Sequence, residues 1–248
     1  MVKVLVVGSA GKMGKSAVTY LTNSSLIQNV FPVTRHDSLK QLITEHKPHV
    51  ALELTDKDSV FTNSLAILEQ SIPLVIGASG LSTSEKEQLN SQAKKSKIPC
   101  LIVPNFSLAA ELMNQAAKMI APYLVDCEII ERHHKQKKDA PSATSLHTAE
   151  VIRQACEKNK ASKSNQLEIA STQENIPIHS IRSSGVLAQQ DVIFAQDGES
   201  LTISLSQISR EAFMPGIVVA VTKVSSLDHG VHTGIHHVLD IRQTAPSL

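Results

Sequence analysis

The side chains best suited to acid–base chemistry are concentrated in one short segment, Glu131 to Thr144. It contains the adjacent histidines His133 and His134, four cationic side chains and a Pro-Ser pair. Histidine exchanges protons near neutral pH, and cationic groups bind carboxylates. The segment is therefore a candidate site for proton transfer to an anionic substrate. A solvated polar turn has the same composition and is the alternative.

A strand and a helix are expected on either side of this segment. Val125 to Ile130 alternate apolar and polar residues, as a half-buried strand does. Leu146 and Ile152 continue a helical spacing after Pro141 and Ser142, which are typical of a helix start. The segment itself is predicted to be a polar loop between them, and loops on a rigid scaffold often carry catalytic groups.

The N-terminus has the pattern of a dinucleotide-binding turn. An apolar strand, Val4 to Val7, leads into Gly8, Ser9, Ala10, Gly11, Lys12, Met13 and Gly14, and helical spacing follows. Backbone N–H groups at such a helix start bind a pyrophosphate, and the glycines allow it to approach closely. The spacing is G-x-x-G-x-x-G rather than the commoner G-x-G-x-x-G. An ordinary glycine turn in a strand-helix unit is therefore the alternative.

Strands and helices continue to alternate up to Val103. The predicted strands are Val30–Thr34, Val50–Leu54, Pro73–Ile76 and Ile98–Val103, and the predicted helices are Leu39–Glu45, Val60–Gln70 and Glu85–Lys95. This order predicts a parallel, doubly wound α/β sheet. Ligands bind at the carboxyl ends of such strands. There the sequence has Glu53-Leu54-Thr55, Gly77-Ala78-Ser79-Gly80 and Pro104-Asn105-Phe106-Ser107.

The end of the second predicted strand indicates the cofactor. NAD-binding domains usually have a carboxylate there for the ribose 2′-hydroxyl, but this chain has Thr34-Arg35-His36 before Asp37. Arg35, with Lys12 in the glycine turn, suits a 2′-phosphate. NADPH is therefore expected in preference to NADH. If Arg35 is only a solvated side chain, both cofactors bind.

After Ser107 the pattern changes to α+β. A helix is predicted over Leu108–Leu124, and strands over Ile178–Arg182, Val186–Phe194 and Leu201–Ile208. A glycine turn joins the last two strands, as in a hairpin. Another helix is predicted from Ser209-Arg210 through Val221. The polar stretch Ala161–Asn175 is expected to be mobile or at an edge, and His229–Leu248 is expected to return to the first domain.

The composition excludes several classes of protein. The chain has 248 residues, 42% of them hydrophobic and 19% charged, and a net charge of +1. This balance provides a real core and argues against general nucleic-acid binding, which needs a broad basic face. The three cysteines have no paired spacing, and no metal site is expected. Because no apolar run reaches the ~20 residues of a membrane helix and no cleavage signature is present, a cytoplasmic protein is expected.

Taken together, these motifs resemble the 4-hydroxy-tetrahydrodipicolinate reductases, also called dihydrodipicolinate reductases, of lysine biosynthesis. The most specific part is His133-His134-x-x-Lys137-x-Asp139-Ala140-Pro141-Ser142. The glycine turn, the strand ends, His179-Ser180-x-Arg182 and Ser209-Arg210-x-x-Phe213-x-x-Gly216 occur in the family's order. The resemblance runs nearly end to end.

The resemblance implies an NAD(P)H-dependent reductase that acts on a small dicarboxylate and forms a homotetramer. A Rossmann-type domain is expected over residues 1–105, completed by about 215–248. A C-terminal α+β domain for substrate binding and oligomerisation is expected over residues 106–214. By the same resemblance, His133 is the acid/base, Lys137 a proton donor and substrate ligand, and His134 a substrate contact.

The resemblance also assigns the binding residues. Ser142, Ala143 and Thr144 match the stretch that holds a substrate carboxylate. The residues that match cofactor contacts are Gly8, Ser9, Ala10, Gly11, Lys12, Met13, Gly14, Arg35, Thr55, Gly77, Ala78, Ser79, Val103, Pro104, Asn105 and Phe106.

Two short stretches depart from the family pattern. Ser142-Ala143-Thr144 replaces the usual Ser-Gly-Thr, and Ala188-Gln189-Gln190 replaces the usual Gly-Glu-His. A catalytically weak relative that senses NADP(H) or regulates a partner is therefore the alternative to the reductase. His133 and Lys137 are both present and favour the reductase.

Overall fold

The computed structural model describes residues 1–124, 126–161 and 176–240. The chain divides into two compact units, of which the first comprises Met1–Leu108 and the chain from Arg210 onward. The second unit is Ala109–Ser209. Each unit has its own sheet and its own hydrophobic core, so each is described by itself.

The helices and strands occur in the following order along the chain. The first unit begins with β1 (Val2–Val7), α1 (Lys12–Thr22), β2 (Ile27–Val33), α2 (Leu39–His46), β3 (Val50–Glu53), α3 (Val60–Glu69), β4 (Leu74–Ile76), α4 (Thr83–Lys95) and β5 (Pro99–Ile102). The second unit contains α5 (Leu108–Ile120), β6 (Asp126–His134), α6 (Ala143–Ala161), β7 (Ile178–Ser183), β8 (Ala188–Gln196) and β9 (Glu199–Gln207). The first unit is then completed by a 3-10 helix (Arg210–Phe213), α7 (Met214–Lys223), a 3-10 turn (Val224–Ser226), β10 (Gly230–Thr233) and a 3-10 turn (Ile235–Val238).

The sheet of the first unit has the order β10-β5-β4-β3-β1-β2, and its described strand pairs are all parallel. Alternate residues of β1 pack into two different hydrophobic clusters, one on each face of the sheet. Val4 and Val6 pack in one cluster, and Leu5 and Val7 in another. Since neighbouring residues of a strand point to opposite faces, both faces of the sheet are covered. The prediction of a doubly wound parallel sheet is confirmed.

Local sequence signals place the helices that flank this sheet. The Ser38 side chain accepts a hydrogen bond from Gln41 N at the start of α2. Ser82 and Glu85 form a reciprocal capping box at the start of α4. Glu85 had been predicted as the first helical residue. The helix instead starts at Thr83, because Ser82 is the N-cap and Glu85 is the third residue of the helix.

The sheet of the second unit is mixed and has the order β7-β6-β8-β9. The β6–β7 pair is parallel, and the β6–β8 and β8–β9 pairs are antiparallel. The predicted hairpin is thus confirmed as β8 and β9. The core lies on one face of the sheet, where Ile129 and Phe194 pack with Ile152 of α6 and Met113 of α5.

Two rows of side chains cross this second sheet on its helix-covered face. One row consists of Arg182, His133, Ala188 and Gln207, and the other of Ser180, Glu131, Gln190 and Leu205. Residues opposite one another on adjacent strands project from the same face. The two rows are two residues apart along each strand, so they share that face.

Three local expectations are corrected by the structure. His133 and His134 were predicted in a loop, but they end β6, where backbone pairing with β7 and β8 continues beyond the apolar residues. The helix predicted to reach Leu124 ends at Ile120. The segment after Ser209 begins as a 3-10 helix, and the α-helix starts only at Met214.

The C-terminal segment adds a strand that the sequence pattern had not resolved. β10 pairs in parallel with β5 and forms one edge of the sheet of the first unit. Val125 and residues 162–175 and 241–248 lie outside the described residues, as do the expectations that concern them. Within residues 1–124, 126–161 and 176–240, every helix is too short or too polar to span a lipid bilayer.

Candidate active site

The glycine turn between β1 and α1 is held by backbone hydrogen bonds. Gly11 N donates to Gly8 O at 3.1 Å. Both the backbone N–H and the hydroxyl of Ser9 donate to Val33 O of β2, at 3.1 and 2.9 Å. The N-cap residue Gly11 provides no side-chain hydrogen bond to the helix. The first N–H groups of α1 are therefore left to bind an anion.

Two glycines of this turn are required by close packing. Gly8 has φ of +83°, and a Cβ there would lie 2.8 Å from the carbonyl group of Leu54. A Cβ on Gly14 would overlap Gly8 O. The turn, the end of β3 and α1 thus leave no room for side chains at these two positions. This packing matches the roles of glycine in a pyrophosphate-binding turn.

A cleft of about 920 Å³ opens beside the turn, within the first unit. It is bounded by residues that follow β1, β2 and β3, at the carboxyl ends of neighbouring parallel strands. Among its lining residues are the predicted cofactor residues Gly8, Ala10, Gly11, Arg35 and Thr55. The cleft is also lined by Thr34, His36, Asp37, Ser59 and Asn63, which the motifs had not assigned.

The other predicted cofactor residues do not line this cleft. They are Ser9, Lys12, Met13, Gly14, Gly77, Ala78, Ser79, Val103, Pro104, Asn105 and Phe106. Several have visible packing roles: Val103 and Phe106 are buried, and a Cβ on Gly77 would lie 2.5 Å from the Phe106 ring. Asn105 Oδ1 accepts a hydrogen bond from Ser107 N at 2.9 Å. Their contacts with a cofactor stay predictions.

Asp37 organises the loop that carries Arg35. Its Oδ2 accepts hydrogen bonds from Thr34 N at 2.8 Å and from the Thr34 hydroxyl at 2.7 Å. The backbone bond and then the hydroxyl bond lower the pKa of this carboxyl group. The carboxylate is thus engaged within its own turn, while Arg35 is exposed at the cleft. The Thr-x-x-Asp spacing is the sequence signal for this turn.

A buried carboxyl group, that of Glu53, binds two residues that line the same cleft. Glu53, at the end of β3, is fully buried. Its carboxyl group accepts hydrogen bonds from the Thr55 backbone N–H and hydroxyl and from the Asn63 amide. Burial raises the pKa of Glu53, although these hydrogen bonds oppose the shift. Glu53 thereby orients Thr55 and Asn63, which both line the cleft.

A carboxylate–histidine pair lies in the second unit. His133 Nδ1 contacts Glu131 Oε2 in a short hydrogen bond, and the Glu131 side chain is fully buried. Arg182 reaches Glu131 from β7, with Nη2 2.8 Å from Oε1 and Nη1 3.0 Å from Oε2. Arg182 Nη2 also donates to Asp139 O at 2.6 Å. The sequence signal for the pair is E-x-H on a strand, which puts both side chains on one face.

Burial and the neighbouring charges set the protonation states of Glu131 and His133. Burial alone would raise the pKa of Glu131, but hydrogen bonds from Arg182, Ser180 and His133 outweigh burial and hold the pKa at about 2. Burial lowers the pKa of His133, the Glu131 carboxylate raises it, and Lys137 and Arg182 lower it further. The net shift is downward, so His133 is mainly neutral at neutral pH. Its Nε2 is then the ring nitrogen that is left for a substrate.

The N-terminus of α6 is fixed by a buried polar network. Ser142 Oγ accepts from Ser145 N at 3.1 Å and lies 2.9 Å from Ser145 Oγ. Ser145 Oγ donates to Gln190 Oε1 at 2.7 Å, and Gln190 Nε2 donates to Thr148 Oγ1 at 2.9 Å. Thr148 Oγ1 donates to Asn114 Oδ1 of α5 at 2.8 Å. Gln190, noted above only as a departure from the family pattern, thus connects β8 to the helix start.

The predicted substrate residues are brought together only in part. His133, Ser142 and Thr144 line one small cavity in the second unit. Lys137 Nζ instead contacts the Asp139 carboxylate at 2.9 Å. His134 Nδ1 is buried and has no hydrogen-bond partner among the described residues. Ala143 is exposed at the first position of α6.

This fold and these side chains define a class of protein. A glycine turn at the start of a doubly wound parallel sheet suits a nicotinamide dinucleotide, and a buried carboxylate–histidine pair suits proton transfer. In the described part of the chain, no group of three or more His, Cys, Asp or Glu side chains is arranged to hold a metal ion. The class is the Rossmann-type oxidoreductases. The amine dehydrogenase of Mycobacterium smegmatis has the same fold at 9% identity, with a TM-score of 0.61 and 97% of each chain covered.

The chain belongs to the dihydrodipicolinate reductase family. Residues 2–106 match the family described as "Dihydrodipicolinate reductase, N-terminus", and residues 106–239 match "Dihydrodipicolinate reductase, C-terminus". The 4-hydroxy-tetrahydrodipicolinate reductase of Legionella pneumophila (strain Lens) is 40% identical, covering 96% of this chain and 99% of its own. That of Coxiella burnetii (strain Dugway 5J108-111) is 37% identical with the same coverage. The dipicolinate-bound dihydrodipicolinate reductase of Paenisporosarcina sp. TG-14 superposes with a TM-score of 0.81 at 29% identity, covering 96% and 100%.

Proposed function

We propose that the protein reduces 4-hydroxy-tetrahydrodipicolinate to tetrahydrodipicolinate with NAD(P)H, in the diaminopimelate branch of lysine biosynthesis. The observation that carries this proposal is the Glu131–His133 pair, whose imidazole lines the same cavity as Ser142 and Thr144. The activity named for the Legionella and Coxiella relatives supports the choice of substrate.

The cofactor is proposed to bind along the cleft of the first unit. Gly8, Ala10 and Gly11 would hold its pyrophosphate at the start of α1, and Arg35 and Thr55 would hold the adenosine end. NADPH is the proposed preference because Arg35 is exposed there, whereas the Asp37 carboxylate is engaged by Thr34. The bound cofactor supplies the hydride. The remaining predicted cofactor contacts form part of the same proposal.

The substrate is proposed to bind in the second unit as a dicarboxylate. One carboxylate would accept hydrogen bonds at the start of α6, from Ser142, Ala143 and Thr144. His134 and Lys137 would balance its negative charge. The support for His134 is its buried Nδ1 atom, which has no partner among the described residues. Lys137 keeps Asp139 as its partner until a substrate competes for the ammonium group.

His133 is proposed to donate the proton that the reaction consumes. Loss of the 4-hydroxyl group as water and addition of a hydride consume one proton overall. His133 Nε2 would deliver that proton, while Nδ1 stays on Glu131. A dianionic substrate raises the pKa of a nearby histidine, which offsets the lowering by burial. Substrate binding would thereby charge His133 for its role as an acid.

We also propose a homotetramer and a cytoplasmic location. The resemblance to the family supports the tetramer. Cys100, Cys127 and Cys156 are buried thiols, as is usual in a reducing compartment. Light scattering of the purified protein measures the mass of the assembly, and a monomer would contradict the tetramer.

The activity is tested by mixing purified protein with NADPH and freshly made product of dihydrodipicolinate synthase. The expected result is substrate-dependent loss of the absorbance of the reduced nicotinamide. NADPH oxidation without substrate would contradict the assigned reaction. NADPH binding without any turnover would instead support the sensing or regulatory relative. His133→Ala and Lys137→Ala are expected to lower kcat by ~100-fold or more, with little change in NADPH affinity.

A further inference from the structure

Gln207 shares a row with His133, and no motif had singled it out. It ends β9 opposite Ala188 of β8, which is itself opposite His133 of β6. Side chains in such a row project from one face of the sheet. Gln207 and His133 therefore lie on the same face, separated by the small side chain of Ala188.

The side-chain amide of Gln207 has an unused donor. Its Nε2 atom is buried and has no hydrogen-bond partner among the residues that the structure describes. A buried donor that is left unpaired destabilises the protein. The glutamines of β8 differ: the Nε2 atoms of Gln189, Gln190 and Gln196 donate to Ser206, Thr148 and Glu199, at 3.1, 2.9 and 2.7 Å. The contrast marks Gln207 as a donor that has no partner among the described residues and is available to a ligand.

The surroundings of Gln207 favour an anionic partner. Gln207 lines the small cavity with His133, Ser142, Thr144, Ala188, Gln189, Gln190 and Leu205. This lining contains an imidazole, hydroxyl groups and amides, and no carboxylate group. A carboxylate oxygen placed there can accept hydrogen bonds from several sides, and the neighbouring Glu131 carboxylate is paired with Arg182.

We propose that Gln207 is a substrate-binding residue whose side-chain amide donates a hydrogen bond to a carboxylate oxygen of the dicarboxylate. This assignment rests on the proposed function and adds to it a residue on a third strand. The substrate is then held from two directions, by the start of α6 and by the end of β9. Ala188 contributes by being small enough to keep the space between Gln207 and His133 open.

The first test replaces Gln207 by Met, which keeps the length of the side chain and removes the donor. Dipicolinate, the molecule bound to the Paenisporosarcina relative, serves as the probe. Its Kd, measured by calorimetry on the full chain, is expected to rise about tenfold, and the KM for substrate is expected to rise with it. Gln207→Glu should weaken binding further, because it places two carboxylates together. The Kd for NADPH should stay unchanged in both variants.

The matched control is Gln196→Met, at the other end of the hairpin, where the amide has its own partner in Glu199. Gln196→Met should bind dipicolinate within about twofold of the wild type. Equal affinity of the Gln207→Met and Gln196→Met proteins would overturn the assignment while leaving the reductase activity intact. A wild-type protein that neither binds dipicolinate nor reduces the substrate would instead overturn the proposed function.

A crystal structure of the wild-type protein with dipicolinate tests the contact without any variant. The expected result is a carboxylate oxygen within about 3.2 Å of Gln207 Nε2. Dipicolinate bound at the start of α6 with the Gln207 amide turned away would contradict the assignment.

Discussion

Arg182 holds Glu131 through both carboxylate oxygens, at 2.8 and 3.0 Å, while the same carboxylate contacts His133 Nδ1. The arginine neutralises the buried charge, and the carboxylate fixes the ring and the tautomer of the histidine. Glu131 is therefore a positioning residue for His133. The carboxylate raises the pKa of His133, and Arg182 opposes that rise.

Glu131→Gln is expected to lower kcat by roughly 10- to 100-fold, because loss of a carboxylate that orients a reacting ring typically has effects of this size. Removing the charge also lowers the pKa of His133, since the carboxylate raises it. The high-pH limb of the kcat profile should therefore move to lower pH. Glu128→Gln, at an exposed position on the same strand that contacts His179, is the control and should behave like the wild type. An unshifted pH profile in Glu131→Gln would show that Glu131 only supports the fold.

The stability of the wild-type protein should depend on Glu131 at acid pH. The pKa of this carboxyl group is about 2 in the folded chain against an ordinary 4.5. A lowered pKa contributes stability that is complete above the unfolded value and is lost as the pH falls towards the folded value. The difference in unfolding free energy between wild type and Glu131→Gln should shrink by on the order of 1–3 kcal/mol from pH 5 to pH 2. Urea titrations across that range measure it, and a constant difference would contradict the pKa assignment.

Arg35→Ala tests the coenzyme preference. If the guanidinium group binds the 2′-phosphate, the Kd for NADPH should rise about 10- to 100-fold, while the Kd for NADH changes by less than about threefold. Lys86→Ala on α4 removes an exposed positive charge that does not line the cleft and serves as the control. Equal weakening of both coenzymes by Arg35→Ala would discard the preference.

A comparison of alanine variants at Gly8 and Gly198 distinguishes the effect of backbone conformation on stability from the effect of packing. Both have positive φ, +83° and +89°, but a Cβ on Gly8 would meet Leu54, whereas a Cβ on Gly198 would meet nothing within 4 Å. Gly198→Ala is expected to cost about 1–2 kcal/mol of unfolding free energy. Gly8→Ala should cost more, and it should also abolish tight NADPH binding. Thermal unfolding and cofactor titration of the two variants provide the comparison, and equal losses of stability would refute the packing argument.

The cysteine thiols should be unreactive in the folded protein. Burial raises the pKa of Cys100 and of Cys127 to about 12. At pH 8 about one thiol in ten thousand is then ionised, and the thiolate is the reactive form. A disulfide reagent should label the native protein slowly and all three cysteines quickly in guanidinium. Rapid labelling of the native protein would show that these thiols are more accessible than the structure indicates.

The family, the doubly wound sheet and the hairpin were predictable because each rests on local patterns. The glycine turn, the alternation of strands and helices and the turn at Gly198 all involve residues that are close together in the sequence. The position of His133 was not predictable in the same way. The residues from Glu131 to His134 are polar and read as a loop, and they become a strand only because β7 and β8, about 50 residues further on, complete their backbone hydrogen bonds.

The same limit applies to Gln190 and Gln207. Neither has a sequence neighbour that indicates its partner, since Gln190 bonds to residues on α6 and Gln207 gains its importance from a row across three strands. Buried polar side chains are specified by contacts between distant segments. The sequence gives the type of each buried polar side chain, but it does not indicate which group that side chain contacts.

The pairing of β10 with β5 affects how the protein is made. Residues 230–233 complete a sheet whose other strands are all synthesised before residue 103. A ribosome therefore finishes the entire second unit before the edge of the first sheet can close. Synthesis at about 5–20 residues per second leaves β5 without its partner for several seconds or more. During that interval the edge of β5 is open to other chains, so truncated chains that end before Gly230 are expected to aggregate more readily than the full chain.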